Sequence, residues 1–190
     1  MGREEAMMRW KALSMFVVFP GLILATHGFA KHTYEPLSEL AVIRGGNPEI
    51  ARILVRFDLS RVVEENNLDY AEIQFPPFVG TQGEDLTVQG FRLTRDWDEE
   101  TVTWESPWAI PGGDYDSTGS VAFRCGPRDT LELHLDITDL FRPLFEGDPN
   151  YGFILKRPSW EGDGFGAEGE LLYQALLREG KVSIYYTMKE

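Results

Sequence analysis

Four basic side chains stand on the polar faces of three alternating stretches of this chain. Arg52 and Arg56 flank Ile53, Val55 and Phe57; His134 lies between Leu133 and Leu135; Lys156 follows Leu155. If those stretches are neighbouring strands, the four form a basic strip able to receive uronate carboxylates, an arginine gripping two oxygens at once. The competing reading pairs them across strands with Glu132 and Asp136. Trp108, Tyr115 and Trp160 lie in Gly/Pro-rich stretches where no alternation assigns them to a core, so their flat rings are candidates for stacking on sugars. Trp97 and Trp104 sit seven residues apart in a more regular stretch and are expected to pack.

Asp114-Tyr115-Asp116-Ser117-Thr118-Gly119 imitates the opening of a calcium loop, with oxygens at alternate positions before a glycine. The twelfth position from Asp114 is Cys125, where an EF-hand carries a bidentate glutamate, so that reading falls. A looser calcium site on Asp114 and Asp116 competes with a polar turn whose carboxylates bond their own backbone. Trp160-Glu161-Gly162-Asp163-Gly164 is a second acidic glycine loop of the same kind.

Little else in the chain suggests catalysis. His27, His32 and His134 make no cluster of metal-ligating spacing. No nucleophile elbow, phosphate-binding glycine loop or HExxH string occurs, and no cofactor is indicated. Cys125 is the lone cysteine, so no internal disulfide forms, and a buried inert thiol is expected. Paired carboxylates for glycoside hydrolysis would stand about 5 to 9.5 Å apart, and no spacing here singles out such a pair; a small polysaccharide lyase is the enzymatic alternative.

The elements that would position these groups are mostly strands. Ile53, Val55 and Phe57 make one face of the first. Leu131, Leu133, Leu135 and Ile137 alternate with Glu132, His134 and Asp136. Tyr151, Phe153 and Leu155 oppose Ile154 and Lys156. Ala71–Phe75 ends at Pro76-Pro77, and Leu86–Leu93 carries Gly90, a candidate bulge. Short strands separated by Gly, Pro and Asp turns point to an all-β antiparallel sandwich rather than a βαβ fold. One short helix is expected near 140–146, capped by Asp139 and stopped by Gly147, with Leu140, Phe141, Leu144 and Phe145 on its buried face. Glu170 to Gly180 is ambiguous, because its leucines also suit a helix.

Residues 1–30 read as a signal peptide. Arg3, Arg9 and Lys11 precede an apolar run from Ala12 to Ala25, and Gly28-Phe29-Ala30 offers small residues for cleavage after Ala30. A retained anchor is the alternative, although Pro20 and Gly21 interrupt a run already short for a spanning helix. That leaves residues 31–190 as one domain, secreted or held at the cell surface. Residues 1–30 hold three of the 18 basic and two of the 31 acidic side chains, so the remainder carries 15 and 29, a net charge of −14. Such a surface repels nucleic acid and anionic membrane.

Five segments in order resemble the DNRLRE family of secreted β-sandwich modules, some of them associated with alginate. They are Arg56-Phe57-Asp58-Leu59-Ser60, RDWDEETVTWESP at 95–107, LDITDLF at 135–141, NYGFILKRP at 150–158, and the closing Lys181-Val182-Ser183-Ile184-Tyr185-Tyr186. The resemblance spans about residues 51–187. It implies a jelly-roll sandwich, an extended segment around Tyr173, and a non-catalytic module binding extracellular polysaccharide, with a uronate polymer such as alginate as one ligand. A structural surface or matrix protein working through protein contacts is the rival class.

Overall fold

The computed structural model describes residues 31–46, 50–62, 66–75, 86–125, 133–158, 163–166 and 168–188. The expected signal peptide therefore lies outside the described residues, as does Trp160. Eight strands pair antiparallel throughout: β1 (Lys31–Gly45), β2 (Ile50–Phe57), β3 (Asn66–Phe75), β4 (Leu86–Arg92), β5 (Val121–Cys125), β6 (Leu133–Asp136), β7 (Phe153–Lys156) and β8 (Lys181–Met188). Their order is β5-β4-β7-β2-β1-β8-β3-β6, and β5 and β6 approach each other, so the sheet nearly closes. The fold is all-β, as the alternation indicates. The jelly-roll connectivity implied by the resemblance is a finer statement than this strand order makes.

The long first strand joins two sheets. Its residues 31–36 pair with β8, and its residues 37–45 pair with β2. Sheet I is thus β1-β8-β3-β6 and sheet II is β1-β2-β7-β4-β5. At the changeover Ser38 is extra to the register, and its hydroxyl bonds the carbonyl of Arg56 at 3.0 Å. A bulge there bends the strand and shifts its alternation by one residue, so that Leu37 and Leu40, three apart, both face the main core. The bulge expected at Gly90 is absent. Gly90 pairs regularly with Val121 and Leu155, and a Cβ there would come within 3.2 Å of both of those side chains, so close packing accounts for the glycine.

Inward residues of both sheets form the main core, including Ile53, Val55, Phe57, Ile73, Val88, Leu135, Phe153, Leu155, Val182 and Ile184. Helix α1 (Thr138–Phe145) adds Leu140, Phe141, Leu144 and Phe145. Its start corrects the capping expectation: Asp136, not Asp139, accepts from the Thr138 amide (2.9 Å) and hydroxyl (2.7 Å). Asp139 sits exposed in the first turn, where its charge suits the helix dipole.

A second helix, α2 (Glu168–Glu179), replaces the extended segment expected around Tyr173. Gly169, Leu172, Ala175 and Leu176 fall three or four residues apart on its buried face, the spacing that makes a helix amphipathic. The Gly180 amide closes it on the Leu176 carbonyl at 2.7 Å. One short helix was too few, because only a helix brings Gly169 and Ala175 to the same face as Leu172 and Leu176; a strand would put the two pairs on opposite faces.

Candidate functional site

The outer face of sheet II is not open. After β4 the chain crosses it as a long loop, residues 93–118, that lays Leu93, Trp97, Trp104 and Trp108 over Ala41, Ile43, Leu54, Phe91 and Ile154 as a second apolar cluster. The indoles are anchored by polar edges. Trp97 donates to the Tyr151 carbonyl at 2.8 Å and Trp108 to the Thr103 carbonyl at 2.9 Å. Trp108, expected to project from a loop, is only 7% exposed. It is packing, because the loop it belongs to is itself a layer. Trp104 sits so close to β1 that a Cβ on Gly45 would meet its ring at 2.2 Å.

This cover decides what becomes of the basic residues. β2 and β7 pair Ile53 with Leu155, and continuing that register places Arg52 beside Lys156 on the outer face. Two cations side by side repel each other, and Asp163 stands between them. Its carboxylate accepts from Arg52 Nη2 at 2.6 Å and from Lys156 Nζ. Arg52 also donates to the Gly112 carbonyl at 2.6 Å and lies 4.9 Å above the Trp104 ring. Lys156 Nζ lies 5.3 Å from the Tyr115 ring centre and 5.4 Å from that of Phe91. Both cations are nearly covered, at 7% and 4% exposed. Gly112 and Asp163 take left-handed φ values of 96° and 62°, and a side chain at Gly112 would strike Arg52 and Trp104.

Arg56, two pleat repeats further along β2, is spent in the same way. It donates to Glu39 (3.1 Å), Asp96 (2.6 Å) and the Trp97 carbonyl (2.9 Å), and rests 5.0 Å from the Trp97 ring. Burial raises the Glu39 pKa; Arg56 opposes this, but Glu99, Asp96 and Asp98 push the carboxyl above its ordinary value. Two of the loop's three indoles thus each cover one arginine of β2.

His134 is on the other sheet. It stands on β6 with Nδ1 3.0 Å from Glu72 Oε1, so the four basic residues form no common strip. Alternation placed each on an outward face but could not say whether the faces belonged to one sheet.

Asp114 and Asp116 are bonded locally, as in the polar-turn reading. Asp114 accepts from the Ala109 and Ile110 amides at 2.8 and 3.0 Å and pairs with Arg95 at 2.9 Å. Burial pushes its pKa up, but those bonds outweigh it and hold the carboxyl below the usual range. Asp116 accepts from the Thr118 amide and hydroxyl. Among the described residues no group of three or more His, Cys, Asp or Glu is placed to hold a metal ion.

What does come together is a cleft of about 510 Å³ above Arg52, with Thr94, Ile110, Asp114, Tyr115, Ser117 and Asp163 at its walls. Ile110 is 71% exposed at the rim. Asp163, which the sequence offered only within an acidic glycine loop, is the bridging carboxylate whose role sequence reasoning missed. Only the fold brings Arg52, 111 positions away, to the same carboxylate as Lys156, seven positions away. No family model, curated protein or solved structure matches this chain.

Proposed function

We propose that this protein is a non-catalytic module for extracellular polysaccharide, holding a hydroxyl-rich stretch of sugar in the cleft over Tyr115 and Asp163. The observation that carries the reading is the Asp163 carboxylate. Two buried cations orient it, while 38% of its side chain stays open to solvent. A fixed, charged acceptor forms strong hydrogen bonds to hydroxyl donors, and Tyr115 and Ile110 supply an apolar wall for sugar C–H groups. The resemblance to a family of secreted polysaccharide-binding modules agrees with that ligand class.

The geometry favours a neutral sugar over the uronate expected from the basic strip. Arg52 and Lys156 are covered and committed to Asp163, so a uronate carboxylate entering the cleft would meet Asp163 and Asp114 first. Asp114, with its lowered pKa, suits accepting hydrogen bonds and is a poor proton donor, which supports binding rather than acid catalysis. The rival reading, a surface protein acting through protein contacts, draws on Leu171 and Leu177, which α2 leaves exposed. A glycan panel on the whole chain tests the choice. Neutral polysaccharides are expected to bind, and Ile110→Ala, which disturbs no packing, is expected to weaken them at least about tenfold. Preferential binding of alginate, or indifference to Ile110→Ala, would overturn the reading.

A further inference from the structure

The outer face of sheet I has no covering loop among the described residues, and its composition is unusual. The registers place His32 and Tyr34 of β1, Lys181, Ser183 and Tyr185 of β8, Tyr70, Glu72 and Gln74 of β3, and His134 and Asp136 of β6 on one surface. Apart from Pro36 at the end of β1, no aliphatic side chain stands among them. Rings and polar groups make up the whole face.

These side chains form two layers. The lower one is a buried hydrogen-bond network. Glu72 accepts from the Tyr70 hydroxyl (3.1 Å), Gln74 Nε2 (2.9 Å) and His134 Nδ1 (3.0 Å), and Gln74 also donates to the Ser183 hydroxyl (2.9 Å). The upper layer is aromatic. His32 stacks on Tyr185 with centroids 4.3 Å apart and meets Tyr34 edge-on at 4.4 Å. Tyr70 leans on Tyr185 at 5.8 Å. Tyr34 is 55% exposed, and Lys181 Nζ lies 5.0 Å from its ring centre. The network beneath holds Tyr70 in place, and mutual stacking holds the other rings, so the surface is ordered before any ligand arrives.

We infer that this face is a second glycan-binding surface, on the opposite side of the sandwich from the cleft, formed by Tyr34, Tyr70, Tyr185 and His32 and suited to an uncharged polysaccharide chain. The negative face of an aromatic ring attracts the C–H groups of a sugar, while the phenol tips and the Lys181 ammonium offer polar partners for its hydroxyls. Charge selects among polymers. On a chain of net charge −13, with Glu72 and Asp136 on this face, an anionic chain is repelled and a neutral one is not. Protein interfaces also favour aromatic rings, but their buried cores are depleted of charge, and this face sets its rings among Lys181, Glu72 and Asp136. Tyr34 and Tyr70 are separated by β8, two strand spacings or about 10 Å, so the platform accommodates an oligomer rather than a single sugar. This inference does not depend on the cleft.

Affinity electrophoresis of the whole protein in hydroxyethyl cellulose or galactomannan, with alginate as the charged control, provides the test. The parent is expected to be retarded by at least one neutral polymer. Tyr34→Ala, at an exposed position, should lose at least about tenfold in affinity while melting like the parent, and Tyr34→Phe should retain binding, because the ring and not the hydroxyl carries the contact. Unaltered binding in both Tyr34→Ala and Tyr185→Ala overturns the inference, as does a parent that neither neutral polymer retards. If Ile110→Ala alone abolishes retardation, the cleft stands and this surface falls; if Tyr34→Ala alone does so, the reverse holds. Self-association lost in Tyr34→Ala, with no glycan binding, would make the face an interface between two copies and also overturn it.

Discussion

The two outer faces of this sandwich begin from the same pattern and end in opposite conditions. On both, polar residues alternate with core residues along antiparallel strands. On sheet II a loop rich in tryptophan crosses the strands, so Arg52 and Lys156 become nearly buried charges that need Asp163 between them. On sheet I no such loop is seen among the described residues. There Glu72, Gln74 and Ser183 are buried and joined by hydrogen bonds through Gln74, and Tyr34 beside them stands 55% exposed. An outward position is therefore not the same as an exposed one. Whether a polar strand residue serves stability or recognition is set by what crosses it.

The sharpest way to break this contrast is to remove the cover. Trp104→Ala deletes the ring that Arg52 and Gly45 pack against and is expected to cost about 3–5 kcal/mol, read from urea unfolding. Tyr34→Ala on the open face should stay within about 0.5 kcal/mol of the parent. Equal losses in the two variants would show that both faces are structural.

A smaller effect is expected from the charge cluster itself. Lys156→Met removes one of the two cations holding Asp163. Breaking a buried pair typically costs about 3–5 kcal/mol and an exposed one at most about 1 kcal/mol. Because Asp163 is partly open and keeps Arg52, about 2 kcal/mol is expected from the same unfolding measurement. A neutral result would mean that Arg52 alone satisfies the carboxylate.

The smallest effect, and the most specific, is in pH dependence, because one glutamate on each side is shifted in opposite directions. Burial pushes the Glu72 pKa up, but bonds from Gln74, His134 and Tyr70 outweigh it and hold the carboxyl below its ordinary value. Its contribution is present above that value and disappears as pH falls through the lower folded pKa, so Glu72→Gln should lose less stability on acidification than the parent. Glu39 is raised, chiefly by burial and then by neighbouring carboxylates that outweigh Arg56. Its ionisation costs the fold above its raised pKa, so Glu39→Gln should gain stability near neutral pH, with the gain vanishing in acid. Denaturation midpoints between pH 3 and about pH 7 separate the two. Parallel curves for both variants would refute the opposite shifts.

Six of the eight strand positions, their inward faces and the first helix were legible from the chain because they depend on contacts between near neighbours; β1 and β5, whose residues show no such clean alternation, were not. The alternation of Ile53, Val55 and Phe57, or of Leu135 and Ile137, selects an inner face whatever the topology. The packing of Trp97 and Trp104 was legible too, because large aromatic rings mostly serve packing. Helix α2 was missed because the family pattern was preferred to the spacing of Gly169, Leu172 and Leu176, although that spacing was already visible in the residues.

Only the tertiary structure decided the sites. It separated His134 from the arginines by placing them on different sheets, and it buried Trp108 under its own loop. It also made Asp163 the partner of Arg52, 111 positions away. The physical reason is common to all three. Alternation specifies the side of a strand, but burial, charge pairing and ligand access depend on which distant segment lies against that side.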